Sequence, residues 1–299
     1  MSKESDSMQD MSLSVVIPTT GNENMDLLLR SIHDDSTLRN HEVIVVGAAE
    51  ALNKISNLFS EYTCIKQVEQ NIPNVSISRN LGISHAKLNY VSLIDDDDLW
   101  LDERAGILLQ AVGINSNSIV FGSALFVDER TNKVRYRIYQ QQVNRLDVLN
   151  QFSRPLFLKQ KYFLQVGNCA FSRDLSIPKF REDLQYLEDQ IWILDALSLG
   201  IEIQQVSSLT LEYKFSRERA NKRWSITNEK NIYKILNKVV PKYGNKYISR
   251  TSLKSLAISS DRKRFISAKR DLLDNFDFGP MDKLRLLMLS IINVTVNIK

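Results

Sequence analysis

The sequence predicts an α/β protein with a mostly parallel sheet, helices on both of its faces, and a C-terminal helical segment. Two observations carry this prediction. Short apolar, β-branched runs alternate with segments of helical periodicity through the first half of the 299-residue chain, which is the pattern of strand–helix–strand units. From Ile226 onward, apolar residues recur mainly at helical spacing, and Pro241, Gly244 and Pro280 mark breaks between helices.

The individual elements follow from apolar runs and from residues that end helices. Strands are predicted at 13–18, 42–47, 62–68, 90–94, 118–127, 133–139, 201–206 and 209–215. Helices are predicted at 25–32, 76–88, 101–112, 187–199, 226–240, 247–258, 264–273 and 281–297. We therefore divide the chain into a disordered lead-in at 1–11, a main α/β domain at 12–215 and a basic helical region at 216–299.

The composition is that of an ordinary globular protein, with 43% apolar and 25% charged residues. Cys64 and Cys169 are the only cysteines, which excludes a disulfide framework and suits a reducing compartment. The three histidines are scattered, which argues against a histidine-based metal site. Residues 1–11 carry no apolar signal core. We therefore expect a cytoplasmic protein.

The net charge of +4 conceals an uneven distribution along the chain. Residues 1–210 hold 19 Lys and Arg against 27 Asp and Glu, whereas residues 211–299 hold 20 against 8. A basic tail favours an anionic partner, and we expect phosphate or the anionic face of a membrane, with no nucleic acid. The apolar end of the chain, 284–298, could dock on the main domain, form a homodimer, or make a peripheral membrane contact.

The most informative motif is the run Asp95-Asp96-Asp97-Asp98, which follows the apolar strand predicted at 90–94. Carboxylates at the end of a buried strand repel one another and are costly to desolvate, and a divalent cation would compensate them. Mg²⁺ and Mn²⁺ prefer carboxylate oxygen, and Mg²⁺ often shares its coordination with substrate phosphates. In an extended chain Asp95 and Asp97 would share one face, so this Asp-x-Asp pair predicts a metal site under a diphosphate.

Two simpler interpretations of the acidic run remain open. Asp97, Asp98 or Asp102 could cap the helix that is predicted to begin near Leu101, because Asp is a preferred N-cap residue. An acidic run could also be a solvated loop. Four acids at the mouth of a buried strand exceed what a helix cap requires, so we favour the metal interpretation.

Three motifs, in this order, resemble family-2 glycosyltransferases of the GT-A fold. The strand Ser14–Thr19 is similar to the opening strand of that family. Ser78-Arg79-Asn80-Leu81-Gly82, followed by the acidic run, is similar to its Arg-Asn-x-Gly helix and metal-binding strand. Glu188-Asp189 resembles the motif that carries the catalytic base. The resemblance covers residues 13–206 and implies a GT-A catalytic domain that transfers a sugar from a nucleotide-diphosphate donor with inversion, using Mn²⁺ or Mg²⁺.

The resemblance also implies roles for individual residues. Asp97 is the direct metal ligand, Asp95 supplies or orients the same metal, and Asp189 takes the proton of the acceptor hydroxyl. For Asp189 the alternative is an acid that the helix dipole favours, and Glu182 and Asp183 are nearby candidates for the base. The donor-binding residues are expected to be Pro18, Thr19, Arg79, Asp95 and Asp96. For Arg79 the alternative is a surface arginine.

Residues outside these motifs complete the predicted site. Arg219 and Arg223 follow the last predicted strand, where they could pair with the donor diphosphate or form a solvated basic loop. Trp100 is expected in the core or as a platform for a sugar, and Glu188 is expected near the acceptor or as a supporting acid. We expect the acceptor to be a glycan or a lipid-linked molecule.

The sequence departs from the family pattern at two positions. Gly47 stands where the family usually has an Asp that reads the base of the nucleotide, and Thr20-Gly21 stands where it usually has an aromatic residue. The sequence therefore does not predict which base the donor nucleotide carries. The rival functions are a nucleotidyltransferase, for which 18–22 is a poor phosphate-binding loop, and a non-catalytic nucleotide- or glycan-binding protein.

Overall fold

A computed structural model of the chain describes residues 12–128, 131, 133–139, 141–152, 164–215, 225–240, 244, 247–248, 262–276 and 280. The chain divides into two compact units. The first comprises 1–144, 161–182 and 189–215, and the second comprises 145–160, 183–188 and 216–299. Four predicted features lie wholly or mostly outside the described residues: the lead-in at 1–11, the segment with Arg219 and Arg223, the helix at 247–258 and the helix at 281–297.

The first unit is built on one ten-stranded sheet. Its strands are β1 (Ser12–Pro18), β2 (Asn40–Gly47), β3 (Ile65–Glu69), β4 (Tyr90–Leu93), β5 (Leu99–Trp100), β6 (Ser118–Asp128), β7 (Lys133–Arg137), β8 (Gln141–Val143), β9 (Cys169–Ser172) and β10 (Glu202–Phe215). In space they follow the order β3-β2-β1-β4-β9-β6-β10-β5, with β7 paired to β6 and β8 paired to β10.

Helices alternate with these strands along the chain. They are α1 (Met25–His33), α2 (Ala49–Lys54), α3 (Leu58–Glu61), α4 (Val75–His85), α5 (Arg104–Ile114), α6 (Arg145–Phe152), α7 (Glu188–Ser198), α8 (Ile226–Val239) and α9 (Arg262–Asn275). Helices α6, α8 and α9 belong to the second unit. In the ranges that the structure describes, no helix combines the length and apolar character that a bilayer span requires.

The predicted α/β fold class is confirmed, with a sheet that becomes mixed in its second half. Strands β3, β2, β1 and β4 run parallel to one another. Strand β9 runs antiparallel to both β4 and β6, so β6 and β10 regain the direction of β4. The carboxyl ends of β1, β4, β6 and β10 therefore meet at one edge of the sheet, where ligands bind in open α/β folds.

Strand β10 is one 14-residue strand where the sequence predicts two. Its register with β6 shifts between Gln205 and Leu211, which is the sign of a bulge. The polar pair Ser207-Ser208 falls inside this irregular stretch and interrupts the apolar pattern. The alternation of apolar residues is therefore interrupted at the bulge and resumes at Leu209, although the strand is continuous.

Helix α1 shows how the apolar spacing produces the core. Its buried residues are Met25, Leu28, Leu29 and Ile32, which share one face at a period of 3.6 residues. They belong to the same hydrophobic cluster as Val15 on β1. All seven residues of β1 are buried, so its apolar residues at Val15, Val16 and Ile17 follow one another without the alternation of a half-exposed strand.

Helix α4 packs closely on β1 because Gly82 has no side chain. A Cβ at this position would overlap the Cγ1 atom of Val16 and would lie 3.2 Å from the Cγ2 atom of Val46. The glycine of the Arg-Asn-x-Gly motif thus sets how near α4 lies to the sheet.

We predict that Gly82→Ala lowers the free energy of unfolding by about 1–3 kcal/mol, because the added methyl group overpacks the contact between α4 and β1. Urea unfolding followed by circular dichroism measures the change.

Gly113→Ala is the matched control, since a Cβ at this position in α5 would meet no atom within 4 Å. It should leave stability unchanged or raise it by up to about 1 kcal/mol, the helix propensity of Ala over Gly. Equal effects of the two substitutions would contradict the packing role of Gly82.

Candidate active site

The acidic run forms a tight turn after β4, which we call the acidic turn (Asp95–Asp98). The backbone N–H of Asp98 donates to the carbonyl oxygen of Asp95 over 3.2 Å and closes the turn. The chain turns here because β4 ends at Leu93, whereas β5 begins at Leu99 and pairs with β10 elsewhere in the sheet. The prediction that Asp95 and Asp97 share one face of an extended chain is therefore wrong.

Asp95 is held by a buried arginine. The Nη2 atom of Arg79 donates to Oδ1 of Asp95 over 2.8 Å, and the two side chains are 5% and 21% exposed. The Nε2 atom of Gln165 donates to Oδ2 of Asp95 over 3.3 Å. Arg79, which the resemblance assigns to the nucleotide, thus forms an ion pair with a carboxylate of the site.

Asp96 connects the acidic turn to the end of β1. Its Oδ2 atom accepts hydrogen bonds from Oγ1 of Thr19 over 2.7 Å and from the backbone N–H of Thr20 over 3.0 Å. Burial raises the pKa of Asp96, although these donors act in the opposite direction. Asp96, Thr19 and Pro18, all predicted at the donor, therefore lie together at the carboxyl ends of β1 and β4.

Asp98 is the most deeply buried residue of the acidic turn, with 2% of its surface exposed. Its Oδ1 atom accepts from the backbone N–H of Lys214 over 3.3 Å, and Oδ2 has no hydrogen-bond partner among the described residues. Burial, followed by the charges of Asp95 and Asp97, raises the pKa of Asp98 well above its ordinary value. The acidic turn therefore carries negative charge that its protein neighbours compensate only in part.

The helix-cap interpretation of the acidic run is wrong, because β5 lies between the run and the next helix. Helix α5 begins at Arg104, and its N-cap residue Glu103 makes no side-chain cap hydrogen bond. Asp102 instead accepts hydrogen bonds from the backbone N–H and the hydroxyl of Ser36, both over 3.0 Å.

A second buried arginine lies next to the acidic turn, and nothing in the sequence distinguishes it from a surface residue of a helix. Arg104 donates through Nη2 to Oγ of Ser92 over 3.2 Å and to the carbonyl oxygens of Leu93 and Gly167 over 2.9 and 3.2 Å. Burial lowers the pKa of Arg104 to about 10, and the charge of Asp98 acts against this shift. Arg104 therefore brings positive charge to the carboxylates from inside the protein.

Trp100 is a core residue, with 2% of its surface exposed. Its Nε1 atom donates to Oδ2 of Asp35 over 2.6 Å, and the guanidinium of Arg104 lies 4.3 Å from the centre of its ring. The alternative of a sugar platform is therefore wrong, since the ring faces the hydrophobic cluster that contains Val15.

Asp189 lies in the first turn of α7, and its Oδ1 atom accepts from the backbone N–H of Gln190 over 2.8 Å. The chain enters the helix through Leu187, whose φ of 59° is left-handed. Such a conformation in a residue other than glycine costs about 1–3 kcal/mol and tends to cluster at functional sites. Glu188, predicted near the acceptor or as a supporting acid, is 5% exposed.

Tyr213 on β10 lies near both the acidic turn and Asp189. Burial raises the pKa of its phenol, and the charges of Asp98, Asp95, Asp97 and Asp189 raise it further. Because charges act in this way only on groups close to them, the acidic turn and Asp189 both lie in the neighbourhood of Tyr213. Nothing in the sequence marks Tyr213 as a site residue, since a tyrosine in a strand carries no motif.

Asp97 is half-buried. Within the described ranges, no three His, Cys, Asp or Glu side chains form a ready metal site.

The end of β2 has no room for the aspartate that the family usually has there. A Cβ at Gly47 would lie 2.9 Å from Cγ2 and 3.0 Å from the carbonyl oxygen of Thr19. A side chain at this position would displace Thr19, which holds Asp96. If a nucleotide binds here, its base is read by other residues.

Comparison with known proteins agrees with this arrangement. Residues 14–177, more than half of the chain, match the model of Glycosyl transferase family 2. Chondroitin synthase of Escherichia coli is 29% identical over 133 residues, which are 42% of this chain and 18% of that protein. Poly(ribitol-phosphate) β-N-acetylglucosaminyltransferase TarP of Staphylococcus aureus is 28% identical over 193 residues, 62% of this chain and 57% of that protein.

Solved structures show the same fold. The crystal structure of S. aureus TarS 1–349 in complex with UDP-GlcNAc has a TM-score of 0.60 and 13% identity, over 96% of this chain and 91% of that one. Neither the family nor these relatives support the nucleotidyltransferase alternative. From the three motifs, the position of the acidic turn and the match over 14–177, we conclude that the chain belongs to glycosyl transferase family 2.

Proposed function

We propose that the chain transfers a sugar from a nucleotide-diphosphate donor to an acceptor hydroxyl, with inversion, in the synthesis of a polysaccharide or another glycoconjugate. The observation that carries this proposal is that the acidic turn and Asp189, which come from different elements, both lie near Tyr213. Transfer requires charge stabilisation at the leaving diphosphate and a base at the acceptor hydroxyl. Two separate groups of carboxylates supply these two requirements.

The relatives suggest the first substrates to test. TarS has been crystallised with UDP-GlcNAc, so this nucleotide sugar is the first donor to try. The named relatives include a chondroitin synthase and a poly(ribitol-phosphate) transferase, so we propose a glycan or lipid-linked acceptor. Gly47 predicts that base selectivity differs from that of family members with aspartate at this position.

We propose that Mn²⁺ or Mg²⁺ binds at the acidic turn. The residues suit a divalent cation, because Oδ2 of Asp98 is buried without a hydrogen-bond partner among the described residues. Burial, followed by the charges of Asp95 and Asp97, also raises the pKa of Asp98. Asp97 would be the direct ligand, with Asp95 held beside it by Arg79. Such cations are often held by one or two carboxylates together with substrate phosphates, and the bound metal would neutralise charge on the leaving diphosphate.

We propose Asp189 as the base that takes the proton of the acceptor hydroxyl. Its carboxylate is oriented by the backbone N–H of Gln190. Among the alternatives, Glu182 accepts a hydrogen bond from Asn80 over 3.1 Å, and Asp183 is exposed. Asp189 is among the charges that raise the pKa of Tyr213 beside the acidic turn, which favours Asp189.

Asp97→Asn should abolish the part of nucleotide affinity that depends on metal, since an amide is a weaker ligand than a carboxylate for Mg²⁺ and Mn²⁺. Calorimetry measures the affinity for UDP, once in the presence of Mn²⁺ and once in the presence of a chelator. Asp174→Asn is the control, because the side chain of Asp174 is 86% exposed. If wild-type protein binds UDP equally well with Mn²⁺ and with chelator, the metal proposal fails.

Asp189→Asn should lower turnover by about 10²–10⁴-fold, the usual contribution of a positioned base. Donor affinity should hardly change, because the base acts on the acceptor. Release of the nucleoside diphosphate from UDP-GlcNAc, or from another donor that binds, provides the assay. Asp183→Asn should remain active, and near-normal turnover of Asp189→Asn would refute the assignment.

We further propose that the basic second unit makes a peripheral contact with an anionic membrane. Lys230, Lys234 and Lys238 on α8 are exposed, and their spacing of four residues places them on one face of the helix. A lysine close to an anionic surface contributes about 1 kcal/mol to binding. A homodimer through the C-terminal region stays a prediction, because residues 281–299 lie outside the described ranges.

Replacing these three lysines with glutamine should reduce binding to liposomes that contain phosphatidylserine by roughly 100-fold, and high salt should do the same to the unchanged protein. Liposome sedimentation measures this binding. The control replaces Lys54, Lys87 and Lys179, three exposed lysines of the first unit. No binding at low salt, or equal losses in both triple variants, would contradict the proposal.

A further inference from the structure

Two consecutive residues of α4 hold two different parts of the candidate active site. Arg79 forms the buried ion pair with Asp95 in the acidic turn. Its guanidinium also lies over the ring of Phe180, 5.4 Å from the ring centre. Asn80 holds the backbone of the same phenylalanine: its Nδ2 atom donates to the carbonyl of Phe180 over 2.9 Å, and its Oδ1 atom accepts from the backbone N–H over 2.8 Å.

Phe180 continues this connection to α7. Its ring is 1% exposed and stacks on Trp192 with the ring centres 4.6 Å apart and an angle of 10° between the planes. The Nε1 atom of Trp192 donates to the carbonyl of Pro178 over 2.8 Å. Trp192 follows Asp189 by three residues and so lies one helical turn away on the same face. The segment 178–180 is therefore fixed to α4 on one side and to α7 on the other.

We propose that Arg79 and Asn80 are positioning residues, which set the distance between the acidic turn and the proposed base Asp189 through Phe180 and Trp192. In this role Arg79 stays on Asp95 during the reaction and does not bind the donor phosphates. The proposal rests on the assignment of Asp189 as the base. In this proposal Arg79, Asn80 and Gly82 of the Arg-Asn-x-Gly motif have separate physical roles, and Gly82 sets the depth of α4 on the sheet.

The buried ion pair favours this role over a phosphate contact. A diphosphate that bound the guanidinium of Arg79 would compete for it with Asp95, a partly buried carboxylate that would lose part of its compensation. Positioning also has kinetic consequences, because a displacement of 1 Å in a reacting group can cost about 100-fold in rate. A packing role without positioning would change stability and leave turnover per folded molecule unchanged.

Phe180→Leu tests the proposal with a residue that is too buried to touch a substrate. We expect turnover at saturating donor and acceptor to fall by about 10–100-fold, while the Kd for UDP in Mn²⁺ stays within about twofold of wild type. Asn80→Ser removes the two hydrogen bonds to Phe180 and should give the same division between kcat and Kd. If Phe180→Leu does not fold, Asn80→Ser alone tests the positioning role.

A double-mutant cycle tests the role of Arg79. If Arg79 acts through Asp95, then Arg79→Gln and Asp95→Asn together should lose no more turnover than the worse single variant. If Arg79 binds phosphate itself, the two losses should add, and Arg79→Gln should weaken UDP binding. Arg30→Gln is the control, because it breaks an exposed ion pair with Asp26 of 3.0 Å on α1 and should change neither quantity.

These outcomes separate the proposal from the assignment of the base. An inactive Asp189→Asn beside a fully active Phe180→Leu and a fully active Asn80→Ser would overturn the positioning role alone. Additive losses in the Arg79 and Asp95 cycle would overturn the role of Arg79. An active Asp189→Asn would refute the base, whatever the two variants at Phe180 and Asn80 show.

Discussion

The site depends on one electrostatic constraint: four carboxylates share a single turn at the end of a buried strand. Like charges at this spacing raise the free energy of the folded chain unless cations or donors compensate them. The protein supplies Arg79 to Asp95, and it brings the buried guanidinium of Arg104 close to Asp98. Removing one partner of a buried ion pair typically costs about 3–5 kcal/mol, so the pair of Arg79 with Asp95 contributes to the stability of the fold.

Among the described residues the compensation of Asp98 is incomplete, and the proposed metal would supply the missing part. Asp98 keeps a buried carboxylate oxygen without a hydrogen-bond partner in the described part of the chain. Asp96 is occupied in joining β1 to the turn through Thr19. The acids thus have different tasks, and the proposed metal site uses the part of their charge that the protein does not neutralise.

The sequence predicts much of the scaffold, because its central strands are buried on both faces. Strand β1 is predicted within one residue of its observed start, and α1 within one residue of its end. The sequence places the four carboxylates correctly after β4. It does not predict the turn that they form, because the same residues would also suit an extended chain. The apolar pattern of the sequence does not reveal β5, because a strand of two residues is too short to show periodicity.

The partners of the acids cannot be predicted from local patterns. The ion pair of Arg79 with Asp95 joins residues that are 16 positions apart, and its geometry appears only after α4 has packed on β1. Arg104 and Tyr213 lie in an ordinary helix and an ordinary strand, and burial alone makes them exceptional. Long-range packing decides these contacts, so the sequence could identify the acids but not the residues that hold them.

A crystal structure of the protein with UDP and Mg²⁺ tests the central claim most directly. We expect a carboxylate oxygen of Asp97 at about 2.0–2.1 Å from the cation, the usual distance for Mg²⁺, with diphosphate oxygens completing its coordination. Arg79 should remain on Asp95. A diphosphate bound without a cation at Asp97, or Arg79 turned from Asp95 onto the phosphates, would contradict this account.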